Sequence, residues 1–448
     1  ISSGPSLVKT GCRRAGTRVL SAGMTSSLCC GTIGAMLKRS ALLGALAACA
    51  LIASCGSDGC SGSGCGAAGS GGAGGSAGGG GTSGVGGLGG GGSGGVGFEV
   101  ELEVDDFITG LERPWDIAWL PNGTVLVTQR PGPLDVYVDG VDAAPTEIFL
   151  NDLVSTGGEG GMMGLEVDPD FSENGYIYIC LASNAGTGND VRVVRLTMSR
   201  PSAGTVEDRT DIVTGIPHND GSNGRHSGCR PRFGPDGYLW VGTGDAAFGS
   251  PPQDDDSLGG KVLRVDRSGA AAPGNPDGQL WYSKGHRNVQ GIAFRADGIG
   301  MSAEHGPSID DEVNALSAGN FGWDPVNGDG SPGYNENVPM TDLEKYPDAI
   351  EAAWSTGSPT LALSGASFLE GRRWGNYDGV LAVAALRATH IHLLAVDNEG
   401  GATSLGRVVE DQGRLRSPRL GPDGLLYVTT DRRNDGDRVI RITPVPAD

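Results

Sequence analysis

A histidine and an aspartate bracket one strand-forming unit in this chain, the stretch from Arg225 to Asp245 that reads Arg-His-Ser-Gly-Cys-Arg-Pro-Arg-Phe-Gly-Pro-Asp-Gly-Tyr-Leu-Trp-Val-Gly-Thr-Gly-Asp. An imidazole titrates near neutrality and can accept a hydroxyl proton, and a carboxylate can orient it, so His226 is a candidate base and Asp245 its partner. Arg287 and Asn288, in Gly-His-Arg-Asn-Val-Gln-Gly, offer a cation and an amide for an anionic oxygen or a bound carboxylate. Arg414 and Arg416 flank Leu415, so on a strand both face one side, which suits a multiply charged planar ligand. The run from Glu304 to Asn314 concentrates hard oxygen donors in a Gly/Pro loop. That donor chemistry suits calcium rather than zinc, although the spacing is not that of an EF-hand. Each feature also has a plainer structural reading: a hydrogen-bonded loop histidine, a surface turn, solvated arginines, a solvated acidic turn.

Chemistry spread over almost 200 residues needs a scaffold that brings distant segments together. One phrase recurs: an apolar strand, a Pro/Asp/Gly turn, a second apolar strand. It is seen at 117–127, 165–178, 233–241, 292–298, 376–383 and 420–428. Glycine after Asp or Asn supplies the positive φ of a tight turn, and alternating Val, Leu, Tyr and Trp supply a packing face. One hairpin cannot bury that face alone. The repetition therefore predicts an all-β fold, a six-bladed β-propeller with four-stranded antiparallel blades, whose long connections form ligand loops around one axial mouth. If the hairpin turns at Asp236-Gly237, His226 and Asp245 return to the same rim. No long segment has helical periodicity, which disfavours an α/β dehydrogenase.

The propeller is expected over residues 97–448. Residues 55–96 are almost wholly Gly, Ser and Ala and read as a disordered tether, with too little apolar surface to offset ordering. Residues 1–54 read as an upstream extension followed by a lipoprotein-type signal. Met36-Leu37-Lys38-Arg39 is its basic start, Ala41 to Leu51 its apolar region, and Ile52-Ala53-Ser54 precedes a lipidated Cys55. This predicts an exported protein, periplasmic or at the cell surface, anchored to a bacterial membrane through Cys55. Net charge is −20, and residues 1–54 contain six basic and no acidic side chains, so the remainder is more acidic still. Such a surface repels nucleic-acid phosphates and favours neutral substrates. Cys180 and Cys229 are the only cysteines beyond residue 65. Export permits a bridge between them, and two buried thiols are the alternative.

Taken in order, these pieces resemble the soluble quinoprotein glucose dehydrogenase family, especially its aldose sugar and sorbosone dehydrogenase-like branch. The likeness runs from about Leu111 to Ile442. It is carried by Arg-Pro-Trp-Asp-Ile-Ala at 113–118, Gly-Glu-Gly-Gly-Met-Met-Gly-Leu at 158–165, the 225–245 unit, and Lys-Val-Leu-Arg-Val-Asp at 261–266. Gly-His-Arg-Asn-Val-Gln-Gly at 285–291, Glu-His-Gly-Pro at 304–307, Asp-Asp-Glu-Val-Asn at 310–314, Gly-Asn-Phe-Gly-Trp at 319–323 and Gly-Arg-Leu-Arg at 413–416 complete it.

The resemblance implies pyrroloquinoline quinone (PQQ), a flat orthoquinone with three carboxylates, bound beside calcium. It implies that His226 removes the proton of a sugar C1 hydroxyl, that Asp245 holds His226, and that Arg287 and Asn288 stabilise the quinone oxygens. Gly306 and Pro307 would give backbone oxygens to the cofactor calcium, with Asp311 and Glu312 serving a neighbouring calcium or the loop that shapes this one. Arg387, Arg414 and Arg416 would contact carboxylates or the quinone. Glu159 stands where glucose dehydrogenases have glutamine near substrate and cofactor, and Arg225 replaces an acidic neighbour of the base. The implied substrate is a small aldose and the electron acceptor a periplasmic partner or a diffusible molecule; nothing in the chain signals an oligomeric state. A calcium-dependent propeller lactonase and a non-catalytic sugar-binding propeller are the rival readings.

Overall fold

The computed structural model describes residues 98–447 except 155–157, 187, 200–203, 222–223, 328–332 and 432–435. The signal, Cys55 and the glycine tether lie outside the described residues. Six sheets form the expected propeller. Their innermost strands are Pro114–Trp119, Met162–Val167, Gly228–Phe233, Val289–Phe294, Leu363–Phe368 and Leu415–Leu420, which begin blades one to six in that order. Five blades have four strands. Blade three departs from expectation with a fifth, Gly319–Asn320, lying parallel to Trp281–Lys284. Blade six is completed by Val100–Leu111, which pairs antiparallel with the C-terminal strand Asp437–Pro446 and joins the two ends of the described chain in one sheet.

The recurring turn has a local cause. In Asn122, Asp236 and Asp423 the side-chain oxygen accepts the backbone N–H two residues on, at 3.1, 3.2 and 3.1 Å, and the intervening glycine takes a φ of 89°, 79° and 75°. The glycine before the proline in blades three and six is equally constrained. A Cβ on Gly234 would lie 2.5 Å from the Trp240 indole, and one on Gly421 2.5 Å from the Tyr427 ring. Those rings close the blade ends, Trp240 donating to Asp236 and Tyr427 to Asp423.

Among the described residues there is no single central core. Apolar side chains instead fill six clusters, one at each blade junction, so every blade is buried against two neighbours. The cluster between blades two and three contains Cys180 and Cys229, which form a disulfide with Cα atoms 5.5 Å apart.

The axis is lined with charge. Asp116 is fully buried, 2.9 Å from Arg230 and hydrogen-bonded by Arg232 at 3.0 and 3.2 Å, while Arg230 stacks 3.9 Å over Trp115. Burial alone would raise the Asp116 carboxyl, but Arg232, Arg230 and Arg419 outweigh it and hold it at about 2. A depressed carboxyl contributes stability that is fully present above its unfolded value, near 4, and lost as pH falls through its folded one. We expect roughly 2–3 kcal/mol to disappear between about pH 4 and 2 from this group. Chemical unfolding measured across that window should show the loss, and Asp116→Asn should flatten that part of the stability curve.

Candidate active site

The inner strands of blades one to six all enter the axis at the end where the candidate residues cluster. His226 and Asp245 flank the first hairpin of blade three, whose register pairs Gly228 with Thr243. The turn at Asp236-Gly237 thus returns Asp245 to the base, and His226 Nδ1 lies 2.7 Å from Asp245 Oδ1. Asp245 is fully buried and also accepts from Ala247 N at 2.7 Å, Trp323 Nε1 at 2.9 Å and the Tyr334 hydroxyl at 2.7 Å. Facing an oxygen acceptor, Nδ1 carries the proton, which leaves Nε2 as the accepting nitrogen of a neutral imidazole. Nε2 has no hydrogen bond among the described residues.

The backbone around the base is unusual. His226, Gly228 and Cys229 have φ values of 63°, 56° and 80°, and the ladder shifts register between Gly228 and Arg230. Non-glycine residues in this region store strain, of order 1 kcal/mol each, and need neighbours that impose it. Glu159 is one such neighbour: its carboxylate accepts His226 N at 2.8 Å and lies 3.4 Å from both Ser227 N and Asn288 Nδ2. Asn288 is another, accepting Gly228 N at 3.0 Å through Oδ1. Gly244 must lack a side chain because a Cβ would fall 1.9 Å from the His226 carbonyl. Burial pushes the Glu159 carboxyl up, but its positive surroundings, the His226 N–H and Arg416 among them, hold it below its ordinary value.

Beside this bulge opens a cavity of about 330 Å3 lined by Arg113, Arg130, Glu159, Arg225, His305, Arg414 and Arg416 among others. Arg414 and Arg416 share one face as their alternation predicts, with Arg416 also paired to Asp431 and 3.2 Å from Gln290. Five guanidinium groups therefore face one lining carboxylate in a chain whose overall charge is −20. This cationic, partly enclosed space suits a small ligand bearing several carboxylates. His305 lines it as a neutral imidazole: burial, against Glu159, holds it down to about 3.

Other expected contacts sit differently. Arg287 is buried beside the base rather than in the cavity lining, donating to the His305 carbonyl at 2.9 Å and to Glu336 at 2.5 Å, and its Nε is buried without a partner among the described residues. Asn288 spends its Oδ1 on Gly228 of the bulge and its Nδ2 on Glu159. Arg387 is exposed and reaches Thr360 at 3.2 Å, so Leu386 and not Arg387 lines the cavity.

Within the acidic run, Asp311 and Glu312 engage different segments. Asp311 Oδ1 accepts Gly306 N at 2.9 Å and Oδ2 accepts Leu361 N at 2.6 Å, tying loops together. Glu312, the next residue on the chain, turns to another side and bonds Thr341 at 3.3 Å. Burial and the neighbouring Glu304 carboxylate push Glu312 well above the usual carboxylate range. Among the described residues no three His, Cys, Asp or Glu side chains are grouped to hold a metal ion. Gly306 and Pro307 follow the lining residue His305 directly in the chain.

Several residues were not legible as site residues in sequence. Arg113 and Arg130 stand near the first blade's strands, and Trp323, Tyr334 and Glu336 lie in the connection that leads to blade four. Arg113 and Trp323 fall within motifs that recur in order with the others; Tyr334 and Glu336 carry no pattern that marks them.

A six-bladed propeller with an imidazole–carboxylate pair beside an arginine-lined axial cavity defines a class of enzyme-like scaffold built to hold an anionic cofactor. The chain belongs to the glucose/sorbosone dehydrogenase family, whose model matches residues 111–441. It is 28% identical over 353 residues to the aldose sugar dehydrogenase YliI of Escherichia coli, covering 75% of this chain and 91% of that one. An uncharacterised protein of Synechocystis, slr1608, is 30% identical over 365 residues, covering 75% and 85%. The PQQ-bound aldose sugar dehydrogenase of Streptomyces coelicolor superposes with a TM-score of 0.62 at 28% identity, over 78% of this chain and all of that structure.

Proposed function

We propose that this protein is a PQQ-dependent dehydrogenase that oxidises the C1 hydroxyl of an aldose to the lactone. The observation that carries the reading is the His226–Asp245 pair set beside a cavity with five guanidinium groups. Arg113, Arg130, Arg414 and Arg416 are the residues suited to a ligand with three carboxylates, and Gln290 and His305 offer polar atoms to its ring. When bound, PQQ supplies a two-electron acceptor for the hydride that leaves C1.

His226 Nε2 takes the proton of the C1 hydroxyl. Asp245 keeps Nδ1 protonated and supports the imidazolium that results. Arg287, held by Glu336 and the His305 carbonyl, places a fixed positive charge near the base, where negative charge on oxygen is stabilised as the bond to hydrogen breaks. Glu159 acts through the backbone, fixing the bulge from which His226 projects. Gly306 and Pro307, on the loop that Asp311 ties down, are the residues whose carbonyls would hold calcium. Supporting an exported location is the Cys180–Cys229 disulfide, a bond that persists in oxidising compartments. On this reading Cys55 is lipidated, the tether lets the propeller stand off its membrane, and electrons leave to a periplasmic or diffusible acceptor.

The test is sugar-dependent reduction of an artificial dye by the full chain, with and without PQQ, and before and after chelation of calcium. Quinone-dependent turnover of an aldose is expected. A folded protein whose absorbance shows no uptake of the quinone would overturn the proposal, and activity that survives chelation would remove calcium from it.

A further inference from the structure

The connection between blade three's last strand, Gly319–Asn320, and the strand Trp354–Ser355 of blade four crosses back over the base. Within it, Asn335 N bonds the Pro325 carbonyl at 2.8 Å, fixing the backbone beside Tyr334. The Tyr334 hydroxyl donates to Asp245 Oδ2 at 2.7 Å, and its oxygen lies 3.2 Å from His226 Nδ1. Its ring is tilted against the imidazole with centroids 5.8 Å apart, edge-on to Trp323, and covered by the Arg225 guanidinium at 5.5 Å. Two residues on, Glu336 joins Arg225 at 3.1 Å to Arg287 at 2.5 Å. One short stretch thus touches the base, its carboxylate and both neighbouring arginines.

We propose that Tyr334 is a positioning residue for the general base, its one hydroxyl fixing the Asp245 carboxylate and the His226 ring in a single orientation; this rests on the dehydrogenase reading above. Each Asp245 oxygen has two donors, His226 and Ala247 on Oδ1, Trp323 and Tyr334 on Oδ2. A carboxylate held at four points cannot rotate, and the imidazole that it binds inherits that fixity. The hydroxyl also withdraws electron density from Asp245. Without it the carboxylate becomes the stronger acceptor and favours the imidazolium, so more of the base is protonated at a given pH. Glu159, Arg225, Arg287 and His305 also face or adjoin the imidazole, and all are unchanged when only this hydroxyl is removed. Burial and Asp245 push the Tyr334 phenol far above its ordinary value, so it remains a donor across the working range.

Tyr334→Phe keeps the ring and deletes the hydroxyl. We expect kcat to fall about tenfold with KM within about twofold, and the acidic limb of kcat/KM to move to higher pH. A second readout needs no cofactor: the His226 imidazole, assigned by its loss in a His226 variant, is titrated by NMR and its midpoint should rise in Tyr334→Phe. If kcat, the acidic limb and the imidazole midpoint all match the wild type, and only the melting temperature changes, Tyr334 is a packing residue and the proposal is overturned. Wild-type protein that turns over no aldose would sink the dehydrogenase reading instead, and the imidazole titration would then decide the role of Tyr334 by itself.

Discussion

His226→Ala should lower aldose turnover by about 10²- to 10⁴-fold while leaving uptake of PQQ nearly unchanged, because a positioned base contributes a factor of that size and the four arginines suited to the cofactor come from other blades. The separation of the two effects is what the geometry demands. The imidazole is bound to Asp245 and flanked by Tyr334, whereas the guanidinium groups that suit an anionic ligand, Arg113, Arg130, Arg414 and Arg416, come from blades one and six. One confounding effect needs a control. His226 has a φ of 63°, so alanine could relax the bulge and disturb Glu159 and Asn288 as well as removing the base. Asparagine tolerates that backbone region better than most residues and cannot accept a proton near neutrality, so His226→Asn isolates the chemistry. Both variants should lose turnover alike in a steady-state dye assay, with cofactor uptake followed by absorbance. If either retains turnover within a few-fold of wild type, His226 is not the base.

Six blades could be read from the chain because a turn glycine with positive φ, flanked by apolar alternation, recurs in each. In five of the six a side-chain oxygen satisfies the N–H two residues on, all within about ten residues of sequence; in blade five Asp378 accepts Gly371 N instead. The return of Asp245 to His226 was legible for the same reason, since one turn at Asp236-Gly237 sets it. Arg414 and Arg416 share a face because strand alternation requires it. What the chain hides is contact between segments that no periodicity relates. Arg387 follows the strand Leu381–Ala385, yet turns outward to Thr360, because two residues beyond a strand end its direction is set by the loop. Asp311 and Glu312 are neighbours in sequence but point apart, so adjacent carboxylates that read as one ligand set serve two different loops.

Glu159 shows the same limit from the other side. In sequence it is a negative charge where an anionic cofactor is expected to sit. In three dimensions its carboxylate is spent on the amides of His226 and Ser227, and its cost to an anion is set against five guanidinium groups. The extra strand Gly319–Asn320 and the residues Trp323, Tyr334 and Glu336 come from a connection with no strand pattern, and only the folded chain places them over the base.

Cys180 and Cys229 are 49 residues apart, a separation that permits a bond without predicting one; the blade junction brings them together. Closing a loop of that length removes conformational freedom from the unfolded chain worth about 4 kcal/mol, so Cys180→Ala/Cys229→Ala should lower unfolding stability by about that amount. Alanine is the right replacement because both sulfurs lie in an apolar cluster, where a serine hydroxyl would add its own penalty. A functional effect should accompany the structural one. Cys229 has a φ of 80° and is three residues from the base, on the bulge whose register shift projects His226, and the bridge pins it to the strand Tyr176–Ser183 of the adjoining blade. Freed of that pin, the bulge has fewer constraints to impose positive φ on two non-glycine residues, and turnover should fall while cofactor uptake persists. Denaturant unfolding and dye reduction, each with and without dithiothreitol, separate these consequences. The reductant should weaken the wild type toward the double variant and leave the variant itself unmoved. Equal midpoints for wild type and variant without reductant would mean that the bridge stabilises neither the fold nor the base.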